Sequence, residues 1–281
     1  MKPQPLSLAH LTMIDASPSQ LIDAAQAGLF SSIGLRIAPP WMATLAFPLV
    51  GNEAAIREVE HKLADTGITV FDVEAFWIRA ETEIVSMQPV IELAARLGAQ
   101  HLLAMGDDPI ESRLVCKLGA LAEAARGFGM SVGLEFLPYV QVAGVHSAFK
   151  VVKAVNQPNL GVVIDALHLM RSGGSPELLA AQDGNAIAYG QLCDARGPEP
   201  IGTDPLRREA RSGRCYPGEG QLPVAAIVNA LPAGTPLAVE APCEAHAHLP
   251  IETRGKRCGE ATRALLATCA QGSARKNASA R

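Results

Sequence analysis

Four oxygen-bearing side chains close short apolar runs in the second half of the chain: Glu135 in VGLEF, Asp165 in GVVID, Gln191 in YGQLCD and Glu240 in AVEAP. A carboxylate at the end of an apolar run is costly to desolvate unless positive charge compensates it. A single such residue reads equally well as the partner of an arginine or as the cap of a following helix. Four on successive runs point to one shared partner, a divalent cation. Three carboxylates and an amide oxygen form a hard ligand set that suits Mn²⁺ or Mg²⁺ first and Co²⁺ next, and zinc less well.

To converge on one ion, these residues must sit on neighbouring strands. Apolar or β-branched runs read as strands over 6–10, 31–37, 68–74, 100–105, 131–136, 161–165, 187–193 and 236–240. Between and after them, 18–27, 53–66, 83–97, 110–127, 147–155, 176–181, 223–231 and 253–268 carry apolar residues at three and four spacing and read as helices. Eight strand and helix pairs in 281 residues fit a single (β/α)8 TIM barrel, whose usual length is roughly 250. The domain is expected over 1–270, with 271–281, rich in Ser, Ala, Lys and Asn, as a flexible tail. No GxGxxG or GxxxxGK[ST] follows the first strand, which removes the main reason to prefer an open nucleotide-binding sheet.

A barrel places its active site at the C-terminal ends of its strands. His10, Arg36 and Glu74 close the first three strands and so belong to the mouth. Arg36, Arg211 and Arg214 are suited to a substrate carboxylate or phosphate through their forked donors. Arg36 and Arg214 read equally well as counter-charges for nearby acids. Trp41 and Trp77 follow strands two and three and are expected to wall the pocket, although packing explains an aromatic there as well. Glu219 in PGEG reads as part of a turn. His146, His246 and His248 read as solvated loop residues.

Composition narrows the partners. Hydrophobic residues make up 48% and charged residues 19%, enough for a buried core. Net charge is −4 with no basic block beyond a short run near the C-terminus, which argues against a nucleic-acid partner. No stretch reads as a signal peptide or membrane span, so a cytoplasmic protein is expected. Six cysteines without a CxxC pair read as reduced. The expected partner is a small-molecule substrate; a homo-oligomer stays open.

The segments LEF, GVVIDALH, YGQLCDA, RCYPGEG and AVEAP resemble the xylose isomerase-like superfamily of sugar isomerases, epimerases and related lyases. The resemblance covers essentially the whole chain. It implies a metal held by Glu135, Asp165, Gln191 and Glu240, with His168 of the D-x-x-H element beside it. It also implies that Glu135 and Glu240 double as ligand and acid or base while His168 holds a substrate oxygen. Gln191 departs from the histidine of most sugar isomerases and is similar to bacterial 3-dehydroshikimate dehydratases, as is ARSGRCYPGEG with Arg211.

These implications define the expected reaction. Removing a proton beside a polarised ketone gives an enediolate, and the fate of that enediolate decides the class. Reprotonation gives isomerisation or epimerisation, the first expectation. Loss of a β-hydroxyl gives a dehydratase on a cyclic hydroxy-keto acid, the alternative. A non-catalytic binding barrel is the third reading, and the intact ligand set argues against it.

Overall fold

Local signals start and stop the helices. Ser17 accepts from the Gln20 backbone N–H while Gln20 accepts from that of Ser17, a capping box that opens α1 (Pro18–Ala27) with proline in its first turn. Gly67, at φ 71°, ends α2 (Glu53–Thr66) in the left-handed conformation that glycine adopts without penalty.

The computed structural model describes residues 5–38 and 45–279, with side chains to 269. The strands are β1 (Leu6–Leu8), β2 (Ser32–Arg36), β3 (Thr69–Arg79), β4 (His101–Asp107), β5 (Ser131–Glu135), β6 (Leu160–Asp165), β7 (Ile187–Leu192) and β8 (Leu237–Val239). They pair in parallel and in order, and β8 closes onto β1 with Ser7 opposite Ala238. The remaining helices are α3 (Gln88–Arg96), α4 (Glu111–Arg126), α5 (Val145–Val155), α6 (Ala166–Arg171), α7 (Pro176–Ala180), α8 (Thr203–Ser212), α9 (Val224–Ala230) and α10 (Ile251–Ser279). The (β/α)8 TIM barrel read from the sequence is the fold of the protein.

Several boundaries differ from the sequence reading. β1 stops at Leu8 and His10–Met13 turns as a 3₁₀ helix, whereas β3 runs five residues past Glu74. Helix α3 begins at Gln88, next to Pro89, after a 3₁₀ turn over Ile84–Met87. Two helices escaped the apolar-period reading. Asp165 caps α6, and α8 is TDPLRREARS, too polar to show an apolar stripe. Helix α10 enters the segment read as a tail, 271–281, whose side chains lie outside the described residues, as does Trp41. Among the described residues, no helix is long and apolar enough to cross a membrane.

The main apolar core lies between barrel and helices. Inside the barrel a smaller cluster contains Phe71, Leu103, Met105, Val163 and Tyr189. Two glycines make room there for larger side chains from nearby strands. A Cβ at Gly34 would run into the Asp72 carboxylate, and one at Gly133 into Val163 and the Tyr189 ring. The Tyr189 hydroxyl donates to Asp72 Oδ2 at 2.9 Å, linking β7 to β3 below the mouth.

Candidate active site

Asp165 is both the last residue of β6 and the N-cap of α6. Its Oδ1 accepts from the His168 backbone N–H at 2.9 Å, where the helix dipole also favours a carboxylate. This turn brings the His168 ring back over the barrel, so that ligand atoms of Glu135, Asp165 and His168 lie within 4.8 Å of one another. All three residues are buried.

Arg214, also fully buried, enters this group from the loop after α8. Its Nη1 donates to Asp165 Oδ2 at 2.6 Å, to the Glu240 carbonyl at 2.9 Å and to Cys193 Sγ at 3.3 Å. Its Nη2 donates to Glu240 Oε2 at 3.0 Å and lies 3.3 Å from His168 Nε2. A guanidinium only donates, so His168 Nε2 is the acceptor and the proton of the neutral imidazole sits on Nδ1. Burial, with a contribution from Arg214, lowers the His168 pKa to about 4 against the opposing pull of Asp165, which keeps the ring neutral. Nδ1 is buried without a partner.

The Arg214 backbone is held from both sides. Its N–H donates to the Pro242 carbonyl beyond β8, and the next residue, Cys215, exchanges two main-chain bonds with Asp194 beyond β7. The Asp194 carboxylate then accepts from the backbone N–H groups of Ala195, Gly218 and Leu222. The PGEG turn is therefore wrapped around Asp194, and a Cβ at Gly220 would clash with that carboxylate. Glu219 points to solvent.

The mouth holds more acidic than basic groups. Glu74, Glu135, Asp165 and Glu240 are buried there against two guanidinium groups, Arg36 and Arg214. Burial pushes the Glu135 carboxyl well up, and Glu240 and Asp165 add to this. Burial raises Glu240 to about 8 although Arg214 opposes it. Burial also pushes Asp165 up, but Arg214 and His168 outweigh it and hold it below its usual value.

Two acceptor oxygens in this group, Glu135 Oε1 and Gln191 Oε1, are buried with no donor. The Gln191 amide nitrogen faces Glu240 Oε1 at 3.4 Å. When ionised, the four carboxyls exceed the two guanidinium groups by two charges, and this excess with the two orphaned oxygens is what a divalent cation satisfies, so the residues fit such an ion.

The opposite side of the mouth is formed by the first three strands. His10 donates from Nε2 to the Ala16 carbonyl and accepts on Nδ1 from the Arg36 backbone N–H, so the main chain occupies both ring nitrogens. The ring lines the pocket with no nitrogen to offer a substrate. Arg36 Nη2 donates to Glu74 Oε2 at 2.7 Å, and Glu74 Oε1 accepts from the Leu11 N–H. The cavity between the two sides has a volume of about 320 Å³. Its upper wall is largely apolar, with Phe47, Trp77, Met105 and Leu137.

Helix α8 sets the rim. A bidentate, buried Arg171–Glu209 pair at 2.7 and 2.9 Å fastens it to α6. Arg207 lies over the Tyr139 ring at 5.4 Å, while Arg211 lines the cavity with no acid partner among the described residues. His146 and His248 are exposed and His246 stacks on Tyr216. None of these three lines the cavity. The sequence reading missed Tyr139, Asp194 and the Arg171–Glu209 pair. Only Asp194, three residues past Gln191 and bound to the PGEG turn, had a neighbouring motif to point to it.

The profile of the xylose isomerase-like TIM barrel family matches residues 21–261. The chain belongs to this family. Among curated proteins, this xylose isomerase-like barrel is 31% identical over 196 residues to a 3-dehydroshikimate dehydratase of Pseudomonas aeruginosa, an alignment covering 64% of the chain and 30% of that protein. It is 28% identical over 160 residues to the inosose isomerase of Bacillus subtilis, covering 53% of the chain and 55% of that protein. It thus spans about half the length of the isomerase and under a third of the dehydratase. A solved structure of the IolI protein with a bound zinc atom superposes with a TM-score of 0.78 at 18% identity, covering 94% of this chain and 99% of that one. At that identity the likeness is one of fold.

Proposed function

We propose that this xylose isomerase-like barrel is a divalent-metal-dependent enzyme that enolises a hydroxy ketone and returns the proton, as an isomerase or epimerase does. The observation that carries this reading is the buried Glu135 carboxylate, whose Oε1 has no partner in a cavity shared with Glu240 and His168. Glu135, Asp165, Gln191 and Glu240 would hold the ion, with Mn²⁺ or Mg²⁺ suiting these oxygens best. The ion would supply a positive charge that keeps the carboxylates ionised and polarises a substrate carbonyl.

The chain's own groups account for the proton movements. Glu135 Oε1 is free to take a proton from the carbon beside the carbonyl, and Glu240 is placed in the same cavity to deliver one to the neighbouring carbon. The neutral His168 ring lines the cavity beside Glu135, and Arg214 fixes its orientation for holding a substrate oxygen. The apolar upper wall keeps water from the carbanionic species. The inosose isomerase and 3-dehydroshikimate dehydratase relatives suggest a ring-shaped hydroxy ketone. Incubating metal-loaded protein with inosose or ketoses in deuterated water should place deuterium next to the carbonyl. Absence of exchange across the panel counts against the reading.

A second reading, a dehydratase on a cyclic hydroxy-keto acid, is favoured by Arg211. This rim guanidinium has no acid partner among the described residues and suits a carboxylate better than a polyol. Under this reading the enediolate loses a β-hydroxyl. Incubation with 3-dehydroshikimate would then give an ultraviolet-absorbing aromatic product, and a flat spectrum would reject it.

A further inference from the structure

Arg36 is held at both ends, by its backbone N–H and by one terminal nitrogen of its guanidinium. Its backbone N–H is held by His10, which is held in turn by Ala16, and one guanidinium nitrogen is held by Glu74. Glu74 is itself anchored by the Leu11 N–H. Arg36 Nε, by contrast, is buried and has no partner among the described residues, although the residue lines the cavity together with Glu135 and Glu240. A buried donor left unsatisfied destabilises the protein, so the site is built to receive an acceptor.

Charge decides what kind of acceptor. Arg36 and Glu74 form a neutral pair, with Glu74 1% exposed at its side chain. A second anion brought to Arg36 would lie beside the buried Glu74 carboxylate, which already compensates the guanidinium, in a low-dielectric cavity. An uncharged oxygen pays no such repulsion. Arg211, which lacks an acid partner among the described residues, is the contrasting case at the rim.

We propose that Arg36, held and neutralised by Glu74, is the subsite for an uncharged hydroxyl or carbonyl oxygen of the substrate, and that Glu74 sets this preference by cancelling the guanidinium charge. This rests on the reading of the site as one for a hydroxy ketone. It adds that the substrate has an uncharged oxygen at the end remote from Glu135 and Asp165, with any acidic group directed elsewhere.

The test uses calorimetric titration of the metal-loaded, full-length protein with myo-inositol as an uncharged ring polyol and inorganic phosphate as an anion. Arg36→Met should weaken myo-inositol binding about tenfold or more without loss of bound metal. Arg36→Lys, which keeps the charge and one donor, should lose less and stands in if Arg36→Met does not fold. Glu74→Gln should raise phosphate affinity about tenfold over wild type. Adding Arg36→Met to it should abolish that gain. Unchanged myo-inositol binding in Arg36→Met overturns the proposal, as does a Glu74→Gln variant with no Arg36-dependent gain for phosphate. If myo-inositol does not bind wild type, the hydroxy-ketone reading loses support while the phosphate titrations still decide the role of Arg36.

Discussion

Arg214 and Asp165 meet at 2.6 Å in the most buried part of the mouth, and the same guanidinium spans to the carboxylate and carbonyl of Glu240. The positive charge shared by these two carboxylates is thus supplied by the chain before any ion arrives. Removing one member of a buried ion pair leaves an uncompensated charge, at a cost of about 3–5 kcal/mol. Arg214→Met should therefore lower the melting temperature of metal-free protein markedly, and Mn²⁺ should restore more stability to this variant than it adds to wild type. Melting curves with and without Mn²⁺ check this; an unchanged melting temperature would contradict the assigned role.

The oxygen set predicts the behaviour of its members. Chelator-treated protein should lose activity, and Glu135→Gln or Asp165→Asn should reduce bound metal sharply. Gln191→Ala should weaken affinity by about 10- to 100-fold, whereas Gln191→His should keep a metal and shift preference toward softer ions. Metal content by elemental analysis and competition titration measures both. Unchanged affinity in Gln191→Ala would reduce the ligand set to three.

The Asp72–Tyr189 pair predicts a pH effect on stability. Burial and the nearby Glu74 raise the Asp72 carboxyl from 3.8 to about 7, although Tyr189 opposes this. The folded state thus keeps a proton that the unfolded chain releases, so this group's contribution is fully present below about pH 4 and is lost as pH rises through 7. The loss between pH 5 and pH 8 is on the order of 2 kcal/mol. His101 acts in the opposite sense, because burial lowers it to about 4 and its contribution falls as pH drops below 6.5. Asp72→Asn isolates the carboxyl: urea unfolding from pH 5 to pH 8 should show it relatively more stable than wild type at the alkaline end. Parallel profiles for the two proteins would mean that Asp72 does not hold its proton.

Arg211 separates the two enzyme readings. For a substrate with a carboxylate, Arg211→Ala should raise KM about 10- to 100-fold with a smaller change in kcat, since the lost contact binds ground and transition states alike. For a neutral ketone, the same change should leave KM within about twofold. Steady-state kinetics on 3-dehydroshikimate and on inosose distinguish the outcomes.

Much of this architecture was readable from local pattern. Apolar period revealed α1, α2 and α4, and strand-end position picked out Glu135, Asp165, Gln191 and Glu240 because a barrel gathers such ends at one face. The hidden features depend on contacts remote in sequence. Nothing local shows that Arg214 is buried, since arginine is usually exposed and its four protein partners outside its own turn come from β6, from α6 and from the residues immediately after β7 and β8. His10 was correctly placed at the mouth, but its two main-chain partners are products of the 3₁₀ turn that replaces the end of β1. Helix α8 was invisible because its packing relies on the Arg171–Glu209 ion pair in place of an apolar stripe.

The Tyr189 to Asp72 bond acts as a cross-brace. Tyr189 lies two residues before Gln191 and Asp72 two residues before Glu74, so the brace joins the strand of the proposed ion site to the strand that anchors Arg36, directly beneath both. Gly34 and Gly133 are the sockets that let its two ends seat. The span between the carboxylate group and the Arg36 subsite is consequently set from below by a rigid member of fixed length. Adaptation to a longer or shorter substrate must then come from the rim, where α8 and the residues following β2 and β5 line the cavity, and not from a change in the bore of the barrel.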